Sequence, residues 1–207
     1  MTSDADNIIG LYERRAHDWA NDRSRSGGFM EKAWLDRFLA MVKPGGTILD
    51  IGCGFGKPIA AYLIEQGFDV CGIDSSPTMI SLCQRDFPEH EWLVGDMRMV
   101  SLGRRFDGII AWDSFFHLTH ADQRAMFPVF RVHAAPSAPL MFTSGPAHGE
   151  AIGELHGETL YHASLDPDEY RSLLAVNNFS VVDQKSDDPD CGGHTIWLAR
   201  RNAKADE

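Results

Sequence analysis

The chain has 207 residues, 43% of them apolar, enough to bury one substantial core and too few for a second full domain. Its formal net charge of -11 argues against a nucleic-acid partner, because neutralising phosphates needs a basic footprint. No apolar run approaches the roughly 18 residues of a membrane helix, and the polar, acidic start Met1-Thr-Ser-Asp-Ala-Asp6 is unlike a signal peptide, so no membrane partner and a cytoplasmic location are expected.

Cys53, Cys71, Cys83 and Cys191 form no C-x-x-C pair and read as reduced thiols. Among nine histidines, His117 and His120 are the closest pair, but H-E-x-x-H is missing and no metal is expected. In chain order, the first predicted element is an amphipathic helix from Ile8 to Trp19. It carries Leu11, Tyr12 and Ala16 on one face, with Asp6 or Asn7 as cap, and should pack over the sheet. Asn21 to Gly28 reads as a flexible loop, and a second helix runs from about Phe29 to Val42 until Pro44-Gly45-Gly46 stops it. Thr47 to Ile51 then has the composition of a buried strand. Gly52, Gly54 and Gly56 let the backbone turn sharply and approach a ligand, and a helix follows from Pro58 to Gln66. Strand, glycine turn and helix open a nucleotide-binding α/β unit. The third glycine comes one residue too early for the dinucleotide pattern G-x-G-x-x-G, and Pro58 after Lys57 excludes a P-loop.

The block Leu49-Asp-Ile-Gly-Cys-Gly-Phe-Gly56 resembles motif I of the class I S-adenosylmethionine-dependent methyltransferases of small-molecule type. That resemblance implies an α/β protein, a Rossmann-like three-layer α/β/α sandwich whose seven-stranded, mostly parallel sheet ends in an antiparallel C-terminal strand. It implies S-adenosylmethionine as cofactor and S-adenosylhomocysteine as product. Asp50, Gly52, Cys53, Gly54, Gly56 and Pro58 are then expected at the cofactor. Residues 1–44 become a helical lid, with Tyr12 and Trp19 over the cofactor and Arg23 or Arg25 on its methionine carboxylate.

The second strand, Phe68 to Ile73, ends at Asp74, about 20 residues past the glycine turn, where such units place the carboxylate that accepts from the ribose hydroxyls. Ser75 lies beside it, and Ser75, Ser76 and Pro77 cap a helix to about Asp86. The resemblance puts Met79 against the adenine, and after the third strand, Glu91 to Val94, it assigns Asp96 and Met97 to the adenine edge. A fourth strand, Arg105 to Trp112, leads into Asp113-Ser-Phe-Phe-His-Leu-Thr-His120. Ligands of an open α/β sheet bind outside such strand ends, so Trp112, Asp113 and His117 should lie near the sulfonium, walled by Phe115, Phe116 and Leu118.

A helix from Thr119 or His120 and a fifth strand, Leu140 to Thr143, come next. Residues 144–164, rich in Gly, His and Glu, read as a long inserted loop on the substrate side. Asp166 caps another helix to about Val176, and Phe179–Asp183 and Thr195–Ala199 form a terminal antiparallel pair around a polar loop, with a frayed tail after Arg201. The run Leu160 to Leu165, together with Asp188 to His194, resembles an uncharacterised bacterial subgroup.

The function these features imply is methyl transfer to a small molecule by in-line displacement, in one domain that is a monomer or homodimer. His117 is the first candidate base because imidazole titrates near neutral pH. Asp113 and Tyr161 are further candidate catalytic residues, and Glu154, His156 and His194 could orient an acceptor. The competing readings are a non-catalytic S-adenosylmethionine-binding protein and an NAD-dependent Rossmann oxidoreductase.

Overall fold

Aliphatic runs between glycine turns build the centre of the molecule, whose computed structural model describes residues 4–25 and 28–203. Five parallel strands come first: β1 (Thr47–Ile51), β2 (Asp69–Asp74), β3 (Glu91–Val94), β4 (Gly108–Ala111) and β5 (Pro139–Ser144). A separate hairpin, β6 (Gly149–Leu155) and β7 (Glu158–Ser164), precedes β8 (Phe179–Asp188) and β9 (His194–Arg201). The main sheet is seven-stranded, ordered β3-β2-β1-β4-β5-β9-β8, and β9 runs antiparallel to both neighbours. Strand order reverses between β1 and β4, so the crevice outside their C-terminal ends is the expected ligand position.

Helices cover both faces, which is why the central strands are apolar on both sides. They are α1 (Asp4–Arg14), α2 (Ala16–Arg25), α3 (Lys32–Leu39), α4 (Ile59–Glu65), α5 (Pro77–Asp86), α6 (His120–His133) and α7 (Pro167–Val176). Successive strand residues point to opposite faces. Ile48, Ile110 and Met141 meet Trp34, Phe38, Leu63 and Ile80 from α3, α4 and α5. Their neighbours Leu49, Ile109 and Leu140 meet Phe127, Phe130, Tyr170 and Leu174 from α6 and α7. Fully buried aromatics such as Phe127 carry much of the stability, since truncating one to alanine costs about 3–5 kcal/mol. Gly108 lets α3 approach β4: a Cβ there would lie 2.6 Å from the Phe38 ring.

Several expectations are corrected. The first helix is two, α1 and α2, broken at Arg15. The break re-aims the apolar stripe: Ile8 and Leu11 pack on Leu155, Tyr161 and Ala163 of the hairpin, whereas Ala16 and Trp19 pack with Phe55 and Met79. The first helix therefore covers the hairpin and strand ends, not the sheet. Asn21 to Arg25 belong to α2 and not to a loop; Ser26 and Gly27 lie outside the described residues, as does the tail from 204.

The 144–164 segment is a hairpin, not a structureless loop. His156 (φ 50°) and Gly157 (φ 80°) form a two-residue turn with both φ values positive, which matches the twist of the strands. Because β6 is exposed along most of its length, it lacks the alternation that marks a strand in sequence. Among the described residues, no helix is long and apolar enough to cross a membrane.

Candidate active site

An open cavity of about 1180 Å³, measured out to its mouth, lies at the C-terminal ends of β1, β2 and β4. The turn after β1 forms its floor. Gly52 and Cys53 donate their N–H groups to the Ile73 carbonyl (2.7 and 3.0 Å), which holds the turn against β2. Gly52, with φ 76°, has no room for a side chain: a Cβ would sit 2.2 Å from the Ser114 Cβ. Gly54, with φ 55°, faces open space, and Gly52, Cys53, Gly54 and Pro58 all line the cavity. Gly56 does not; a Cβ there would meet Cys83 and Phe87, so this glycine serves the packing of α5.

At the end of β2, Asp74 accepts from the Gly54 N–H through Oδ2 and from the Ser76 N–H through Oδ1, both at 2.9 Å. These bonds fix the carboxylate and leave it acceptor sites toward the cavity, beside Ser75 and Met79. Burial pushes its pKa up, against those two hydrogen bonds. Asp50, 3% exposed and also lining the cavity, has no hydrogen bond or ion pair among the described residues. Burial, and then the nearby Asp74 charge, raise its pKa to about 7. A buried and a half-buried carboxyl group on one cavity make it suited to a cation.

Asp96 and Met97 line the opposite wall. Both Asp96 oxygens are gripped by the Arg98 guanidinium, with Nε at 3.0 and 2.9 Å, and Oδ1 also accepts the Arg98 N–H. Burial alone would raise this carboxyl, but the Arg98 bonds hold it below its ordinary value. Arg98 also reaches Asp122 (3.5 Å) on α6 and Asp6 (3.9 Å) on α1. Arg98 thus joins its neighbour in sequence, Asp96, to Asp122 and Asp6 on separate elements.

The N-terminal helices roof the cavity. Tyr12 and Trp19 line it and meet edge to face, with ring centroids 5.9 Å apart. Glu13 fastens this roof to the start of α5 by accepting from Thr78 N–H (3.1 Å), Thr78 Oγ1 (2.7 Å) and Ser76 Oγ; the Ser76 bond in particular holds its carboxyl low. Arg23 lines the cavity and is ion-paired with the buried Glu31, whereas Arg25 is exposed and outside it.

On the last wall, Trp112, Asp113 and His117 line the cavity. His117 is 6% exposed and both ring nitrogens are engaged. Nδ1 faces the Tyr161 carbonyl (2.8 Å), which only accepts, so Nδ1 carries the proton and Nε2 accepts from the Tyr12 hydroxyl (2.9 Å). Burial depresses its pKa to about 4. Asp113, at φ 47°, is anchored through its N–H to Thr143 Oγ1 (2.8 Å) and pairs with His194 Nε2 (3.0 Å). The other nitrogen of His194 faces the Cys191 carbonyl (2.6 Å), so both its partners are acceptors; the Asp113 bond raises its pKa.

Other candidates lie elsewhere. The Tyr161 ring packs against α1, with its hydroxyl on Glu150 (2.7 Å), and only its carbonyl reaches the site. Phe115 is fully buried among Phe127, Phe130 and Phe142, and Phe116 meets His117 edge to face, so of the three expected wall residues only Leu118 lines the cavity. Glu154 is exposed, and His156 pairs with Asp22 (3.0 Å).

Residues 48–137, spanning β1 to the end of α6, match the methyltransferase domain family. That match spans less than half of the chain and supports a likeness to the class I methyltransferases. YqeM of Bacillus subtilis (strain 168), assigned as a methyltransferase, is 36% identical to this chain over 116 residues, 53% of this chain and 46% of that one. The dTDP-3-amino-3,6-dideoxy-alpha-D-glucopyranose N,N-dimethyltransferase of Streptomyces fradiae is 33% identical over 92 residues, 44% of this chain and 36% of that one. The chain thus spans about half or less of the length of these relatives. In fold, it is similar to the 1,6-didemethyltoxoflavin-N1-methyltransferase of Burkholderia thailandensis, with a TM-score of 0.73 over 94% of this chain and 87% of that one, at 19% identity.

Proposed function

We propose that this chain transfers the methyl group of S-adenosylmethionine to a small-molecule acceptor. The observation that carries this reading is the convergence on one cavity of the motif I turn, Asp74, the unpartnered Asp50 and the Tyr12–Trp19 roof. S-adenosylmethionine supplies a methyl group already activated by positive sulfur. The chain's own work is to grip the donor, aim the acceptor and exclude water.

In this reading Asp74 accepts from the ribose hydroxyls, Asp50 meets the α-ammonium and Arg23 the carboxylate of the methionine moiety. Met79, Asp96 and Met97 border the adenine, and residues 4–25 act as the lid. His117 then positions rather than takes protons: its nitrogens tie lid residue Tyr12 to hairpin residue Tyr161, and a pKa near 4 makes it a weak base at neutral pH. The acidic charge and a relative acting on a sugar nucleotide support a small acceptor over nucleic acid, and four free thiols support a cytoplasmic location.

The test is calorimetry with S-adenosylhomocysteine, followed by labelled-methyl transfer to a panel of amino sugars and hydroxylated heterocycles. Micromolar binding with transfer is expected. Binding without transfer to any acceptor favours a cofactor sensor, and tight NADH binding in its place favours the oxidoreductase.

A pH dependence follows from Asp50. With a pKa of about 7 in the free protein it is largely protonated below pH 7, whereas an ammonium ligand prefers the carboxylate. Ligand binding therefore lowers this pKa and releases a proton, and affinity should climb as pH rises through 7 and level off above it. Calorimetry in buffers of different ionisation enthalpy should detect the released proton at pH 6.5. Asp50→Asn should abolish both the proton release and the pH dependence.

A further inference from the structure

One carboxylate on the cavity wall has no part in holding the cofactor. Among the described residues five aspartates line the cavity: Asp50, Asp74, Asp96, Asp113 and Asp122. Asp50 and Asp74 are assigned above to the α-ammonium and the ribose, and Arg98 holds Asp96 and reaches Asp122. Asp113 remains. Its partner is His194, whose Nε2 lies 3.0 and 3.1 Å from the two carboxylate oxygens and whose ring is not part of the cavity lining. Because the Cys191 carbonyl faces the other nitrogen, His194 carries a proton on both and donates to Asp113.

The carboxylate is fixed in place with part of its surface bare. Its backbone holds φ 47°, a left-handed conformation that few residues other than Gly, Asn and Asp adopt, and its N–H donates to Thr143 Oγ1 (2.8 Å). Thr143 Oγ1 donates in turn to Oδ1 (3.3 Å). His194 and Thr143 use two of the carboxylate's roughly four acceptor sites, and its side chain stays 30% exposed on the cavity wall. The next residue clasps the motif I turn: Ser114 Oγ donates to the Ile51 carbonyl (2.7 Å), and its Cβ fills the space beside Gly52. Asp113 is thereby set at the end of β4, on the flank of β1 away from β2 and Asp74. In S-adenosylmethionine the sulfur joins the ribose to the chain that bears the α-ammonium, so anchors at Asp74 and Asp50 bring the reacting methyl to this part of the cavity.

No strong base accompanies Asp113 there. Among the described residues His117 is the one histidine that lines the cavity, and both of its nitrogens are engaged. Burial, and then the charges of Asp113 and Asp74, raise the Tyr12 phenol, so it keeps its proton. An alcohol becomes a good nucleophile only with help from a base, and a carboxylate is too weak to ionise one. A neutral amine needs no such help, because its lone pair is already available.

We propose that Asp113 receives the methyl acceptor and that this acceptor is an amine. The inference rests on the methyl-transfer reading above and names its substrate class. Asp113 accepts an N–H hydrogen of the neutral amine, which leaves the nitrogen lone pair for the methyl. As that lone pair forms the N–C bond, the C–S bond breaks and its electron pair goes to sulfur. No proton moves in this step. Positive charge passes from sulfur to nitrogen, and the new ammonium keeps a charge-assisted hydrogen bond to the carboxylate until it leaves as product. His194 is a positioning residue, since it acts on the acceptor only through Asp113.

The test compares two ligands that differ at the reacting position. Sinefungin carries an ammonium group where S-adenosylmethionine carries its methyl, and S-adenosylhomocysteine carries nothing there. By calorimetry the parent chain should bind sinefungin at least as tightly as S-adenosylhomocysteine. Asp113→Asn tolerates the positive φ and retains an acceptor oxygen for His194, so it should fold. It should bind sinefungin about tenfold or more weakly than the parent chain does, and S-adenosylhomocysteine within about twofold. In matched pairs of small molecules that carry an amine or a hydroxyl at the same carbon, labelled methyl should pass to the amine. Equal losses for both ligands overturn the proposal, as do no loss for sinefungin, a parent chain that binds S-adenosylhomocysteine but not sinefungin, or transfer to hydroxyls alone. No S-adenosylhomocysteine binding in the parent chain is a different failure: it removes the methyl-transfer reading, and this inference with it.

Discussion

Asp74→Ala should weaken S-adenosylhomocysteine binding by at least about 100-fold while leaving the chain folded. The carboxylate accepts two backbone N–H groups, from Gly54 and Ser76, and turns its remaining lone pairs to the cavity. In the proposed complex those lone pairs take the ribose hydroxyls. Charge-assisted hydrogen bonds contribute about 1.5–3 kcal/mol each, so losing two removes about 3 kcal/mol or more, which is at least about 100-fold in affinity. The substitution also frees the Gly54 N–H and so loosens the turn that must meet the ligand. Asp74→Asn keeps the shape and one acceptor oxygen, and its loss should be nearer to about tenfold. Calorimetry on both variants decides it: unchanged affinity in Asp74→Ala would mean that the nucleoside is not held at the end of β2.

Gly52→Ala and Gly54→Ala should separate stability from binding, although both positions have positive φ. At Gly52 an added Cβ lies 2.2 Å from the Ser114 Cβ and 2.6 Å from its Oγ, which donates to the Ile51 carbonyl at 2.7 Å. To make room, Ser114 must move, and with it the loop that carries Asp113 and His117. Overpacking together with the left-handed backbone should cost about 2–5 kcal/mol, read as a lower midpoint in urea. At Gly54 nothing lies within 4 Å, so only the backbone penalty of about 1–2 kcal/mol remains. The new methyl nevertheless stands in the cavity wall where a ligand must approach, and affinity for S-adenosylhomocysteine should fall by about tenfold or more, as a misfit of a few atoms does. If Gly54→Ala bound normally, the turn would be a structural device and the ligand would lie elsewhere.

What could be foreseen from the chain and what could not divides along the range of the interactions involved. The strand Thr47–Ile51, the turn after it, Asp74 and the cap at Ser76 are local: periodicity, glycine placement and capping chemistry are written in neighbouring residues, and the fold keeps them in that order. A seven-stranded, mostly parallel sheet with an antiparallel C-terminal strand follows from that alternation of elements and from the motif resemblance, and the fold supplies the order β3-β2-β1-β4-β5-β9-β8. The hairpin escaped notice because β6 is polar and exposed, so neither face carries a hydrophobic stripe, and its His156-Gly157 turn lacks the usual Asn or Asp. The break at Arg15 was equally invisible, since it depends on two distant surfaces, the hairpin and α5, that the helices must cover.

Side-chain roles depended most on tertiary structure. By composition alone His117 was the natural base, but a ring becomes a base only if a nitrogen is free. That was decided by Tyr12, 105 residues away, and by the Tyr161 carbonyl, 44 residues away. Asp113 paired with His194, 81 residues distant, for the same reason: packing brings together charges that no spacing rule connects. The sequence by itself determined the strand–turn–helix unit and the carboxylate at the end of β2, because short-range sterics and hydrogen bonding suffice for both. That His117 is sealed was decided only when the hairpin folded against the loop after β4, because burial and hydrogen-bond partners are properties of the packed chain.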